Sequence, residues 1–216
     1  MRLRRKGASE ETDEVTTGET AGEATTGAEA PAAGPYDVDE LPEDGVGRLD
    51  LGSLLVAPLP DRELRVQVDE QSGEVRAVLL ATEEGALELR AFAAPRNGDL
   101  WSDIRPQIAA DAARRGGTAT EREGKFGTEL VCEVRVTRPD GQTGTQTSRV
   151  IGVNGPRWLL RATFLGEPAR EPEAAAEWEA AIEHLAVRRG NHAMPVGEQL
   201  PLNLPDGAQP KAVPAS

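Results

Sequence analysis

The stretch 147-TSRVIGVNGPRWLLRATF-164 decides the fold of this chain. Within it, Asn154-Gly155 is a strong short-range signal for a β-hairpin turn. After the turn, large or small apolar residues occupy every second position from Trp158 through Leu160 and Ala162 to Phe164. A period of two places these side chains on one face of a strand. The stretch therefore predicts two antiparallel strands with one buried face.

Other segments on both sides carry the same strand signals. Alternating apolar residues predict strands over residues 49–56, 64–68, 75–81, 87–91, 118–123 and 130–136. Turns are indicated at Ser72-Gly73, at Gly85 and at Pro139-Asp140-Gly141, and Pro95 ends one run. The chain therefore predicts an antiparallel sheet of about seven or eight strands.

Two segments change to the helical period. Leu100, Ile104, Ile108 and Ala112 recur every fourth residue before Gly116-Gly117. With Ser102 as the cap, Pro106 falls in the first turn of this helix, so a break is expected near Trp101. A second helix is predicted over 172–187, ended by Gly190, with its buried stripe formed by Ala174, Trp178, Ala181, Ile182 and Leu185. The predicted fold class is α+β with two main helices.

The chain divides into four parts by composition. Residues 1–33 are basic and then acidic, poor in apolar residues, and are expected to be a disordered tail. Residues 34–48 are expected to be an extended lead-in to a single domain over 49–190. Residues 191–216 are expected to be an extended or frayed tail, in which Leu200 and Leu202 have strand spacing and could add an edge strand or lie in a groove.

Charge and composition exclude several classes of partner. The net charge is −13, and residues 1–44 alone hold 12 acidic and 4 basic side chains. So acidic a chain repels phosphate backbones, and no basic stripe with aromatic residues is present, so nucleic acid is not expected as a partner. No run approaches the ~18 apolar residues of a spanning helix. The single cysteine, Cys132, suits a reducing compartment, and the cytoplasm is the expected location.

No catalytic, metal-binding or cofactor motif is found in the sequence. The two histidines, His184 and His192, form no ligand cluster. Cys132 shares a strand face with apolar residues and is expected to pack as a small hydrophobe. Glu129 and Glu133 also share a strand face, and both are expected to be solvated. We therefore expect no catalytic residues, no metal and no cofactor, and the chain is more consistent with a binding protein than with an enzyme.

Arginine and tryptophan are the residue types that remain as candidates for binding. Both are enriched in binding hot spots, because they offer a large contact area and fork-shaped donors. The candidate binding residues are Arg96, Trp101, Arg157, Trp158 and Arg161. Packing in the core is the alternative for Trp158, and salt bridges within the fold are the alternative for the two arginines beside it. Those arginines could otherwise bind an acidic partner or the acidic tail of the chain itself.

Several short motifs resemble one known family. Gly34-Pro35-Tyr36-Asp37, Ala91-Phe92-Ala93-Ala94-Pro95-Arg96, Phe126-Gly127-Thr128-Glu129-Leu130 and Gly155-Pro156-Arg157-Trp158 are similar to the actinobacterial family catalogued as domain of unknown function 3710. The resemblance covers about residues 34–205 and implies no activity. The order of helix, hairpin and closing helix also resembles the α/β/α sandwich of Mog1/PsbP-like domains, which implies a binding or assembly role by fold analogy alone.

Three functions remain open. The first is a non-enzymatic cytoplasmic domain that binds a protein partner. The second is a small-ligand-binding protein or an enzyme, whose site is assembled from scattered carboxylates and arginines. The third is association with a membrane surface through Arg2, Arg4, Arg5 and Lys6.

Overall fold

The computed structural model describes residues 34–137 and 141–204 with their side chains, and the backbone of residues 212–213. These residues form a large sheet, a small sheet and three helices. Except for one short parallel edge strand, the strands of the large sheet pair antiparallel. The predicted α+β class with a large antiparallel sheet is therefore confirmed. The predicted tail over residues 1–33 and the turn residues Pro139 and Asp140 lie outside the described residues.

The strands are β1 (Tyr36–Asp37), β2 (Leu49–Asp50), β3 (Leu54–Val56), β4 (Glu63–Val68), β5 (Val75–Ala81), β6 (Gly85–Ala93), β7 (Thr118–Gly124), β8 (Gly127–Thr137), β9 (Thr143–Gly155), β10 (Trp158–Gly166), β11 (Ala186–Val187) and β12 (Ala212–Val213). The helices are α1 (Leu100–Arg114), α2 (Glu167–Arg170) and α3 (Pro172–Glu183). The order of the large sheet is β12-β4-β5-β6-β10-β9-β8-β7, and that of the small sheet is β1-β11-β3-β2.

The two faces of the large sheet bury different clusters. Trp158, Leu160, Ala162 and Phe164 are all fully buried on the face that packs against α3 and the small sheet, as their alternation predicts. On the opposite face, α1 lies against β7, β8 and β9. Leu130, Cys132 and Leu159 are among the residues of this second cluster. Among the described residues, α1 makes its main contacts on that half of the face, and Leu159 of β10 and Phe92 of β6 lie at the margin of its cluster.

The first helix begins earlier than the sequence indicates. Its N-cap is Asp99, whose Oδ1 accepts a hydrogen bond from the Ser102 backbone N–H at 3.0 Å. Trp101 is buried within the helix, so the expected break is absent, and Pro106 lies in the helix interior. Burial of Leu100 and Trp101 is worth about 1.5–3 kcal/mol for each side chain and offsets the cost of a proline in that position.

The second main helix ends earlier than predicted. It stops at Glu183, and Ala186 and Val187 form β11 between β1 and β3. This pairing with two strands supplies backbone hydrogen bonds that the helix end would leave unmade. The predicted stripe is otherwise buried, except that Ala175 is fully buried in place of Ala174.

The hairpin between β9 and β10 turns two residues later than Asn154-Gly155 suggests. Gly155 pairs with Trp158, so the loop is Pro156-Arg157. Arg157 has φ of 63°, and proline followed by a residue with positive φ is the pattern of a type II turn. Gly155 is required for another reason, because a side chain there would collide with the ring of Trp158.

The predicted strand over residues 49–56 is interrupted. Gly52, with φ of +84°, separates β2 from β3, which pair with each other in the small sheet. Beyond the domain core, the C-terminal residues run along β6 where β5 has ended. Ala93 N–H donates to the Glu198 carbonyl and Leu200 N–H to the Ala91 carbonyl, both at 2.8 Å, and Leu200 is fully buried. This segment forms one wall of a cleft described below.

Candidate functional site

The two candidate tryptophans are core residues in this structure. Trp158 is 1% exposed and its Nε1 donates to Asp37 Oδ2 at 2.8 Å. Trp101 is 5% exposed and its Nε1 donates to the Thr128 carbonyl at 2.7 Å. Both indole N–H groups are therefore satisfied inside the protein, and neither ring is presented to a partner.

The candidate arginines lie in two places. Arg157 belongs to the β9–β10 loop, where its carbonyl accepts hydrogen bonds from Ala94 N–H at 2.9 Å and from Arg189 Nε at 3.1 Å. Arg96 is exposed just beyond the end of β6. Arg161 instead lies within β10, on the face opposite to Trp158. The structure therefore does not gather all five candidates into one site.

Arg161 belongs to a set of charged and apolar side chains on β4, β5, β6 and β10, away from the main contacts of α1. The strand register places these residues in neighbouring rows of one face. We call this set the arginine face; it consists of Arg65, Leu79, Glu88, Arg90, Phe92 and Arg161. Of these residues, the sequence pattern indicated only Arg161 as a candidate. The others could not be grouped with it, because the members come from four strands.

Two like charges stand directly opposite each other at the centre of this face. Arg161 of β10 is the register partner of Arg90 of β6. Both reach the same carboxylate, Glu88: Arg90 Nε lies 2.9 Å from its Oε1, and Arg161 Nη2 lies 3.7 Å from the same atom. Like charges directly opposite on a sheet destabilise it. At this position the single carboxylate of Glu88 is the shared ion-pair partner of both guanidinium groups.

The remaining contacts of Arg90 and Arg161 are weak or neutral, whereas Arg65 Nη2 pairs with Glu63 Oε2. The Arg161 guanidinium stacks over the Phe92 ring at 5.3 Å, and Arg90 Nη2 donates to Gln67 Oε1 at 3.0 Å. The Nε atoms of Arg65, Arg90 and Arg161 are buried and make no hydrogen bond. Burial, and then the charge of Arg90, lower the pKa of Arg161. The partly exposed side chains of Arg90 and Arg161, rather than the buried Nε atoms, are therefore the groups that an added anion would contact.

A second set of charges, which the sequence pattern did not predict, surrounds the buried residues Glu129 and Arg149. Glu129 is 1% exposed, contrary to the expectation that it is solvated. Arg149 Nη2 contacts Glu129 Oε2 at 2.8 Å and Glu179 Oε1 at 2.6 Å, and Arg122 also pairs with Glu129. Although burial opposes the charged form, the hydrogen bonds to the two glutamates raise the pKa of Arg149. Because every member has an opposite partner, this network is structural rather than a binding site.

An open cleft of about 1070 Å³ lies between the small sheet, the start of β5 and the C-terminal residues. Its charged lining comes from Glu74, Arg76, Arg188, Arg189 and Glu198. The buried Ser53 also lines it, and its hydroxyl has no hydrogen-bond partner. The cleft was not predicted, since its residues come from four separate parts of the chain.

Cys132 is buried among apolar residues, as expected, and burial raises the pKa of its thiol. The described residues contain no group of three or more histidine, cysteine, aspartate or glutamate side chains placed to hold a metal ion. None of the three helices in the described part of the chain has the length and hydrophobicity that a bilayer crossing needs.

Comparison with known proteins gives a family. No curated protein matches the chain significantly. Among solved structures, the solution structure of cyanobacterial PsbP (CyanoP) from Synechocystis sp. PCC 6803 is similar, with 14% identity over 68% of this chain and 96% of that chain and a TM-score of 0.36. So slight a likeness carries no functional argument. The family model described as protein of unknown function, DUF3710, matches residues 34–211, which is most of the chain. The match confirms the family that the sequence motifs resemble, and the chain belongs to the DUF3710 family.

Proposed function

We propose that this chain is a non-enzymatic protein-binding domain that holds an acidic segment of a partner protein on the arginine face. The single observation that carries the proposal is that Arg90 and Arg161 stand directly opposite each other and share Glu88. An acidic segment would supply a further carboxylate to the two arginines that share Glu88.

Charge and geometry support an anionic occupant. Hydrogen bonds between guanidinium and carboxylate groups are about twice as strong as neutral ones, and the guanidinium fork can bind a carboxylate with two parallel bonds. The side chains of Arg90 and Arg161 are each 24% exposed, so they are reachable yet already partly stripped of water. An ion pair formed there is screened less by solvent than one between fully exposed groups.

Apolar side chains on the same face support a protein partner over a free ion. Phe92 and Leu79 are half-buried beside the arginines and offer contact area to an apolar residue of the partner. A surface that combines aromatic and arginine side chains is typical of binding hot spots. The chain has a single cysteine, which suits a reducing compartment, so we propose that the partner is a cytoplasmic protein.

Affinity purification of the full chain tests the proposal if matched variants are compared. The test variant is R90Q with R161Q, and the control is R115Q with R135Q, which changes the net charge equally at two exposed arginines. We expect a stoichiometric partner with the wild type and the control, and a recovery at least about tenfold lower with the test variant, equivalent to about 1.4 kcal/mol. Raising the salt concentration should lower recovery from the wild type.

The same purification can contradict the proposal. If the test variant is folded, as judged by its thermal unfolding, and recovers the same partner at an unchanged yield, the arginine face is not the binding surface. A small molecule retained by the wild type, with no protein partner, would favour the alternative of a ligand-binding protein.

A further inference from the structure

The cleft beside the C-terminal residues has an unusual balance of charge. Two of its three arginines are neutralised within the protein: Arg188 Nη1 lies 2.8 Å from Asp50 Oδ1, and Arg76 Nη2 lies 3.3 Å from Glu74 Oε2. Arg189 is different, because its Nε and Nη1 donate only to carbonyl oxygens, those of Arg157 at 3.1 Å and His192 at 3.2 Å. Within the described residues it has no carboxylate partner.

A carboxylate in the same cleft is also unpaired. Glu198 lines the cleft and is exposed, and among the residues that the structure describes it forms no ion pair. Among the described residues of its lining, the cleft therefore holds one arginine without a carboxylate partner, Arg189, and one carboxylate without a cation partner, Glu198. A simple anion would satisfy the first and be repelled by the second.

The backbone of β6 links the two residues that carry these groups. Ala93 N–H donates to the Glu198 carbonyl at 2.8 Å, and the next residue, Ala94, donates to the Arg157 carbonyl that also accepts from Arg189 Nε. This path places Arg189 Nε within about 13 Å of the Glu198 carbonyl oxygen. The two residues are therefore near enough for one molecule of the size of a di- or tripeptide, at about 3.3–3.6 Å per residue, to contact both.

The rest of the lining suits the middle of such a molecule. Val75, Met194 and Leu204 are half-buried and give the cleft apolar surface. Ser53, 4% exposed, contributes a hydroxyl that has no hydrogen-bond partner. The volume of about 1070 Å³ is that of a site for a small molecule.

We propose that this cleft binds a small zwitterion with an apolar middle, of which a di- or tripeptide with free ends is the representative. Arg189 binds its carboxylate and Glu198 its ammonium group. The cleft shares no residue with the arginine face. The two proposals can therefore be tested independently.

Isothermal titration calorimetry of the full chain with the tripeptide Ala-Leu-Ala tests the proposal. Two matched probes each lack one charge: the N-acetylated tripeptide has no ammonium group, and the C-terminal amide has no carboxylate. We expect saturable binding of the free tripeptide, and binding at least about tenfold weaker for each blocked form.

Variants of the chain assign the two ends. R189Q should bind the free tripeptide and its amide equally, and E198Q should bind the free and the acetylated forms equally. R189K, which keeps the charge, should retain most of the preference for a free carboxylate, and R115Q should behave as the wild type. These comparisons between probes remain informative if Arg189 also contributes to stability.

Three results would overturn the proposal. One is the absence of saturable binding of the free tripeptide by the wild type at concentrations up to about 10 mM, because a specific site of this size should bind more tightly than that. Another is equal affinity for the free, acetylated and amidated forms. The last is an unchanged preference among the three probes in R189Q and E198Q.

Discussion

At the scale of single residues, Arg161 shows how a binding surface differs from a structural ion pair. Its guanidinium is half-buried, lies 3.7 Å from the nearest carboxylate oxygen and faces another arginine. Arg149, in contrast, is 3% exposed and contacts two carboxylates at 2.8 Å or less. Burial destabilises a charge, and well-placed partners are needed to offset that cost. The fold therefore gains from Arg149 and not from Arg161.

This contrast predicts opposite effects of one substitution at the two positions. Arg161→Met removes a poorly compensated cation, and we expect the free energy of unfolding to stay level or to rise by about 1 kcal/mol. Arg149→Met strands Glu129 inside the protein and should lower the free energy of unfolding by about 3–5 kcal/mol. Urea denaturation measures both. A loss for Arg161→Met as large as that for Arg149→Met would contradict our account of Arg161.

Single residues also show the limit of sequence patterns. Alternation correctly places Trp158 and Phe164 in the core, because burial of a whole strand face follows from a period of two. The same rule treats Glu129 and Glu133 alike, although Glu129 is 1% exposed and Glu133 is exposed. What separates them is Arg149, which lies on a neighbouring strand. Such a partner cannot be found from spacing along the chain.

At the scale of elements, the start of α1 depends on Asp99. Its carboxylate accepts from the Ser102 backbone N–H and hydroxyl, and also from Asn154 Nδ2 at 2.7 Å. Through Asn154 the helix cap is tied to the end of β9. Gly152 in the same strand leaves room for the Trp101 ring, since a side chain there would collide with it. The start predicted from the sequence was wrong, because these contacts come from a strand that is distant along the chain.

Asp99→Ala should therefore destabilise the protein by about 1–2 kcal/mol through loss of the cap. Hydrogen bonds with Ser102 lower the pKa of Asp99, so the stabilisation is complete above the ordinary aspartate pKa and fades as the pH falls through the lowered value. Thermal unfolding at pH 7 and at about pH 3 measures this. The difference between wild type and variant should shrink in acid, and a constant or growing difference would contradict the assignment.

The buried charge network joins two elements, the β7–β8 hairpin and α3. Arg122 of β7 and Glu129 of β8 connect through Arg149 to Glu179 of α3. Lys125 in the hairpin loop also reaches Glu183 of α3 at 2.9 Å. The network therefore holds the edge of the sheet against the closing helix.

Glu129→Gln should lower the free energy of unfolding by about 3 kcal/mol, because Arg149 loses one of its two charged partners in a buried setting. Glu133→Gln is the matched control, since it lies on the same strand face and is exposed, and its effect should stay within about 0.5 kcal/mol. Chemical denaturation of the two variants measures the difference. Similar effects at both positions would contradict a structural role for the network.

At the scale of the whole molecule, the sequence pattern predicts the fold but not the distribution of charge on its surface. The chain carries a net charge of −13, yet the arginine face places Arg65, Arg90 and Arg161 beside only two paired carboxylates of the described residues, Glu63 and Glu88. The fold class and most strands follow from local patterns. The arginine face and the cleft do not, because each is assembled from strands and segments that only the three-dimensional order of the sheet brings together.

The measurement that tests the central claim most directly is NMR of the arginine Nε–H groups of the full chain, titrated with the acidic peptide Glu-Glu-Leu-Glu-Glu. The Nε–H groups of Arg65, Arg90 and Arg161 are buried and form no hydrogen bond in the free protein, although Arg90 Nε lies 2.9 Å from Glu88 Oε1. The account predicts that their resonances shift in a saturable way as carboxylates bind, while that of Arg149, already bonded to Glu129, stays in place. Unchanged resonances of the three arginines, or shifts confined to arginines elsewhere on the surface, would contradict it.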